Sequence, residues 1–264
     1  MKKKHIILLS IAVILLAGIV WLIWGNVTVG LTTITVTEDN LPSAFDGYRI
    51  VHVSDLHNSW LWEQTIQRLR EAKPDIICIT GDLIDSDEME NALHFVEEAV
   101  KIAPCYYITG NHEMMIAQSS YVALMQGLED RGVIVLMDQS VLLSRDDAQI
   151  CLVGHKWGNI KDAGQLTNFA GYHMLLSHQP ECFDDYVAGE YDLVLTGHAH
   201  GGQFRLPFIG GLYAPGQGIL PDYDSGLYTE GRTDMIVSRG IGNSGFPIRF
   251  NNRPEVILIE LKCG

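Results

Sequence analysis

The stretch YRIVHVSDLH, residues 48–57, is an apolar, β-branched run that stops abruptly at Asp55 and His57. A short apolar run bounded by polar residues reads as a buried strand. Four further stretches repeat the pattern. DIICITGDLID (75–85) ends in Asp82 and Asp85, and PCYYITGNHE (104–113) in Asn111, His112 and Glu113. YHMLLSH (172–178) ends in His178, and YDLVLTGHAH (191–200) in His198 and His200. In open α/β sheets, ligands bind beyond the carboxyl ends of the strands, so five such ends can converge on one crevice.

The intervening sequence supports this order. WLWEQTIQRLREAK (60–73), SDEMENALHFVEEAVKI (86–102) and SYVALMQGLEDRG (120–132) carry apolar residues at helical spacing, the second behind a capping serine. VIVLMDQSVLLSRDDAQICLVGHKW (133–157) reads as consecutive strands with a turn at 145–148, and TDMIVSRG and PEVILIEL as the last strands. NVTVGLTTITV (26–36) alternates as an exposed edge strand. The Gly/Pro-rich segment 210–232 reads as a long surface loop. The expectation is a layered α/β domain with early β-α-β units and a strand-rich second half.

Composition narrows the partners. Residues 1–24 contain Lys2, Lys3 and Lys4 and no acid, so the other 240 residues hold 15 bases against 32 acids, a net −17. Such a body is repelled by polyanions, which argues against nucleic acid and anionic membrane surfaces as partners. A phosphorylated substrate then needs local positive charge, which metal ions supply. The five cysteines (78, 105, 151, 182, 263) form no C-x-x-C, and three sit in apolar runs, so no disulfide framework is expected.

MKKKH (1–5) precedes 19 uncharged residues, Ile6 to Trp24. At ~1.5 Å per residue these span roughly 28 Å, close to the hydrocarbon thickness of a bilayer. Trp21 and Trp24 stand at the far end, where aromatic rings favour the interface. The run is longer than a signal-peptide core and no A-x-A site follows, and Ile19 stands where a lipoprotein cysteine would be. Residues 1–5 therefore read as a cytoplasmic stub, 6–24 as an uncleaved single-pass anchor, 25–46 as a strand and linker, and 47–264 as the main domain. With lysines before the anchor and no basic residue after it until Arg49, the domain is expected outside the cytoplasm, at the cell membrane.

Each strand-end motif alone reads equally well as a turn; five together do not. Carboxylate, amide and imidazole donors without thiolate clusters suit two divalent ions such as Mn, Fe or Zn. An aspartate can bridge ions ~3.5–4 Å apart, the separation used for in-line phosphoryl displacement. The series D-x-H, G-D-x-x-D, G-N-H-E, H and G-H-x-H resembles the calcineurin-like metallophosphoesterases over about Gly47–Leu261. LPSAFDGYRIVHVSDLH, GHAHGGQFRLP and SRGIGNSGFPIRFNNRPEVILIEL resemble more narrowly their bacterial membrane-associated YkuE/YaeI-type branch.

The resemblance implies a four-layer α/β/β/α sandwich preceded by the transmembrane helix. It assigns Asp55, His57 and His200 to one metal, Asn111, His178 and His198 to a second, and Asp82 to both. It makes His112 the proton donor to the leaving oxygen and Asp85 the carboxylate that orients Asp82. The expected activity is hydrolysis of phosphate esters or pyrophosphates by metal-activated hydroxide, on a phosphorylated small molecule or a lipid-linked envelope substrate. Two alternatives stand beside it: a UDP-2,3-diacylglucosamine-type pyrophosphohydrolase, and a non-catalytic metal-binding scaffold, for which a proton donor has no use. His52, His94 and His173 read as structural, His155 stays outside the metal set, and Arg239 and Arg249 serve either phosphate or loop anchoring.

Overall fold

The computed structural model describes residues 2–160 and 169–264; Met1, the first residue of the expected cytoplasmic stub, lies outside them. The chain begins with helix α1 (Lys2–Val27), whose apolar side chains are exposed along its length, three residues past the expected end of the anchor at Trp24. Strand β1 (Gly30–Glu38) follows and pairs in parallel with the C-terminal strand Glu255–Cys263 over nine residues. It stands at a sheet edge, as its alternation predicts.

Three β-α units come next: β2 (Arg49–Val53), α2 (Trp62–Ala72), β3 (Ile76–Thr80), α3 (Glu90–Ala99), β4 (Cys105–Ile108), α4 (Gln118–Asp130) and the short β5 (Ile134–Val135). The second half supplies β6 (Gln139–Arg145), β7 (Ala148–Gly154), β8 (His173–Leu176), α5 (Phe183–Ala188) and β9 (Leu193–Thr196). Short pairs β10–β11 (Arg205–Leu206, Gly210–Gly211) and β12–β13 (Tyr213–Ala214, Gly218–Ile219) lead to β14 (Gly226–Glu230), β15 (Thr233–Val237) and β16 (Glu255–Cys263). Two six-stranded sheets result, ordered β1-β16-β2-β3-β4-β5 and β14-β15-β9-β8-β7-β6.

Alternation along each strand distributes its side chains between different apolar clusters. Val51, Val53, Ile77 and Ile79 pack with Leu69 of α2, Phe95 of α3 and Leu128 of α4. Their neighbours Ile50, Ile76 and Cys78 join Leu152, Leu176 and Leu195 of the other sheet in a second cluster. The opposite residues of that sheet, Val153, Leu175 and Val194, pack with Phe183 and Tyr186 of α5. The fold is thus mixed α/β, with two sheets that share one apolar cluster.

The turn expected at 145–148 closes the β6–β7 hairpin, where Arg145 pairs with Ala148. Segment 210–232 departs from expectation. Its end is β14, joined to β15 by the two-residue turn Gly231–Arg232, with Gly231 at φ +61°. The glycines and prolines before it mask a five-residue strand whose partner supplies the pairing.

Candidate metal centre

Every strand-end donor lies just beyond its strand: Asp55 and His57 after β2, Asp82 after β3, Asn111 and His112 after β4, His178 after β8, and His198 and His200 after β9. Asp55, His57, Asp82, His178, His198 and His200 are buried, and Asn111 and His112 half-buried. Asp55, His57, Asp82, His198 and His200 all have positive φ, between +47° and +64°. Left-handed backbone is uncommon outside glycine and clusters where function demands it.

Two glycines let the loops approach. Gly81 has φ +86°, and a Cβ there would collide with the backbone of Gly110. A Cβ on Gly110 would collide with the Asp82 carboxylate. The TGD and TGN turns therefore hold Asp82 against the end of β4, where the His112 amide donates to its Oδ1 at 2.8 Å.

The donors form two triplets, Asp55–His57–His200 and Asp82–His178–His198, each with ligand atoms within 4.8 Å of one another. In the first, His57 Nε2 lies 3.2 Å from His200 Nε2, and His200 Nε2 3.4 Å from Asp55 Oδ1. In the second, His178 Nε2 lies 3.1 Å from Asp82 Oδ2. The same Asp82 oxygen is 3.8 Å from His57 Nε2, so Asp82 faces both triplets. His178 Nδ1 donates to the Thr80 carbonyl at 2.6 Å, a partner that only accepts, which frees Nε2 for the centre. The Asn111 side-chain oxygen is buried without a hydrogen-bond partner. An orphaned amide oxygen, convergent imidazole nitrogens and a shared carboxylate fit a pair of divalent ions.

The electrostatics fit too. Burial holds His57 and His198 down to about 3 and His200 well below its ordinary value, so these rings are neutral and their lone pairs available. Burial raises Asp55 to about 6. Burial works against His178 as well, but the charge and hydrogen bond of Asp82 prevail and lift it to about 10. Without metal, His178 and Asp82 are an ion pair, and an ion bound there displaces the proton.

His112 also lies close enough to His57 and Asp82 to make a third triplet. Its Nε2 is 3.1 Å from Ser244 Oγ, and its ring stands edge-on to His57 at 4.7 Å. Asp85, expected to orient Asp82, is exposed, and no hydrogen bond joins the two among the described residues. The carboxylate that holds the Asp82 turn is Glu113, fully buried, which accepts the amides of Asp82, Leu83 and Gly110 at 3.0, 2.7 and 2.8 Å. The chain leaves Ile84 toward solvent, whereas the short helical turn after Asn111 points Glu113 inward.

Reading the sequence also missed Trp157, whose ring lies 5.0 Å from His198 and 5.7 Å from His178 and walls one side of the centre. The arginine question resolves toward anchoring. Arg239 pairs with Glu255, and the buried Arg249 donates to the Arg239 and Gly242 carbonyls and to Asn243, with its guanidinium beside His200. His155 pairs with Asp138 at 2.8 Å. His52 lies in β2 against Thr80, His94 is exposed on α3, and His173 opens β8.

The chain is similar to known proteins. The family described as Calcineurin-like phosphoesterase matches residues 48–202. The uncharacterized metallophosphoesterase YkoQ of Bacillus subtilis is 30% identical, over 97% of this chain and 99% of its own. Phosphodiesterase YaeI of Escherichia coli is 29% identical, over 81% and 82%. A bovine (Bos taurus) transmembrane protein with metallophosphoesterase domain is 27% identical over 97% of this chain, which spans 62% of that protein. The chain belongs to the calcineurin-like metallophosphoesterases and is a phosphoester hydrolase.

Proposed function

We propose that this chain is a single-pass, membrane-anchored phosphoesterase that works with two divalent ions on a phosphorylated envelope or lipid-linked substrate. The observation that carries the reading is Asp82 shared between two buried His/Asp triplets, together with a buried Asn111 side-chain oxygen that has no hydrogen-bond partner. Asp55, His57 and His200 would hold one ion, Asn111, His178 and His198 the other, and Asp82 both. Divalent ions so held lower the pKa of water and neutralise charge that develops on phosphoryl oxygens.

The protein's own groups supply the rest. Neutral His57, His198 and His200 present lone pairs to the centre, and the Thr80 carbonyl fixes the His178 ring. Glu113 holds the backbone at Asp82, Leu83 and Gly110 so that the shared carboxylate keeps its place. His112, half-buried with Nε2 against Ser244 Oγ, would hand a proton to the departing oxygen.

Helix α1 supports the anchor: Lys3–Val27 is 25 residues long, apolar and unburied, and the bovine relative is named as a transmembrane protein. The lysines at its start favour an extracytoplasmic domain. A reporter fused after Gly264 that is active only in the cytoplasm would overturn that orientation. The activity is tested with purified, metal-loaded full chain on p-nitrophenyl phosphate, its bis-ester and lipid-linked pyrophosphates. Hydrolysis of at least one is expected, and failure on all three sinks the proposal.

A further inference from the structure

Two charge-free segments lie beside the metal centre. Residues 206–220, LPFIGGLYAPGQGIL, and 240–248, GIGNSGFPI, contain no Asp, Glu, Lys, Arg or His, although the chain beyond residue 24 carries a net −17. Most of their large apolar side chains face solvent. Phe208 is fully exposed and Ile219 80% exposed, and Ile209, Leu220, Phe246 and Ile248 are exposed as well. Large exposed apolar patches on a soluble surface mark interaction sites.

The segments form one surface. The Phe204 ring meets Phe246 edge-on at 5.3 Å, and Gln203 donates to the Phe246 and Ile248 carbonyls at 2.9 and 2.8 Å. The Arg205 amide donates to the Phe250 carbonyl at 2.9 Å. That surface continues onto the end of α1. Phe250 packs edge-on against Trp21 at 5.5 Å, and the Asn26 side chain exchanges hydrogen bonds of 2.8 and 2.7 Å with the backbone of Arg249. Arg253 lies over Trp24 at 4.4 Å and donates to the Thr28 hydroxyl and the Val29 carbonyl. The helix end is therefore docked onto the domain rather than tethered to it. Between this surface and the metal centre lies an apolar cavity of about 400 Å³, lined by His200, Gln203, Phe204, Tyr213, Pro215 and Phe246.

We propose that this apolar surface is a second membrane contact, seated in the lipid beside α1, so that the cavity leading to His200 opens at the bilayer surface. The inference rests on the reading of α1 as the anchor. A helix that spans the bilayer puts Trp21 and Trp24 at the interface, and Phe250, packed on Trp21, holds the charge-free rim at the same level. Exposed Phe, Ile and Leu on segments that carry no charge of their own, with the adjoining Asp224 paired to Arg205, suit the boundary between headgroups and acyl chains, ~5–10 Å deep. The bilayer that receives α1 is the occupant that this continuity selects.

The test uses the full chain in phosphatidylcholine vesicles with doxyl-labelled lipid, with Cys182 and Cys263 changed to Ser. An environment-sensitive fluorophore is placed at one site at a time through Phe208→Cys, Ile219→Cys, Ile14→Cys or Leu142→Cys, the last on β6 at the opposite edge of the second sheet. Emission at 208, 219 and 14 is expected to fall roughly twofold or more, as for a group in the acyl boundary, and emission at 142 to stay constant. Quenching at 14 with 208 and 219 as unaffected as 142 leaves the anchor standing and overturns the second contact. Absence of quenching at 14 overturns the anchor and the contact with it. Labels at 208 and 219 that are shielded from water but not quenched by lipid assign the surface to a second copy of the chain and equally overturn the proposal.

Discussion

Acidifying the metal-free protein from pH 7.5 to 5.0 should destabilise it through one side chain outside the metal set, His52. This residue lies in β2 with no exposed surface; its Nε2 is 2.8 Å from the Thr80 hydroxyl, and its Nδ1 is buried without a partner. Burial, reinforced by His178, holds its pKa down to about 3, against ~6.5 in an unfolded chain. Between these values the unfolded state binds more protons than the folded one, so stability rises with pH through the window from 3 to 6.5. The contribution is complete above pH 6.5 and lost as pH falls toward 3. At pH 5 the unfolded imidazole is mostly protonated and the folded one is not, which costs about 2 kcal/mol. For a domain of this size that is roughly 4–8 °C in Tm. The assay is thermal unfolding of chelated full chain at pH 7.5 and 5.0, beside His52→Gln. The buried ligand histidines contribute to both proteins, so the difference between the two pH dependences isolates His52. The variant should lose the 2 kcal/mol of acid sensitivity whatever its baseline stability. Parallel pH dependences in the two proteins would refute the reasoning.

His112→Ala should lower turnover by about 10²–10⁴-fold while metal content, measured by plasma spectrometry, stays at the wild-type level. An unchanged rate removes His112 from proton transfer, and a loss of metal makes it a ligand. Glu113→Gln places an amide N–H against the Leu83 amide that Glu113 Oε1 now accepts, so metal affinity should weaken by roughly 10–100-fold in a titration of the chelated protein. Wild-type affinity would show that this carboxylate does not position Asp82. Asp85→Ala removes an exposed side chain and should change rate and metal content less than about twofold; a large loss of either restores its role in orienting Asp82.

The strands, their order and the convergence of their polar ends were legible because each buried strand is a short apolar run that stops where its backbone leaves the sheet. YRIVHVSDLH and DIICITGD carry that signal whatever the sequence distance between them, and the parallel pairing of β2 with β3 brings the ends together. The support beneath the donors was less legible. Asp85 and Glu113 both follow a strand end by a few residues, and spacing alone does not say which turns inward. Three amides from two loops converge on Glu113 only once Gly81 and Gly110 have let those loops touch. For Arg249 the sequence left phosphate contact and loop anchoring open, because its partners are mainly backbone carbonyls, which every residue carries. Strand β14 was hidden for a related reason: five residues behind a Gly/Pro-rich stretch become a strand by pairing with β15.

The central claim is that Asp82 joins two ion positions in one centre. Its most direct test is calorimetric titration of Mn²⁺ into chelated full chain and Asp82→Asn, with bis-p-nitrophenyl phosphate hydrolysis followed in the same samples. The wild type is expected to take up two ions per chain and to gain activity only as the second binds, and Asp82→Asn to bind fewer than two and stay inactive. One ion per chain at full activity, or two ions and wild-type turnover in Asp82→Asn, would contradict the account.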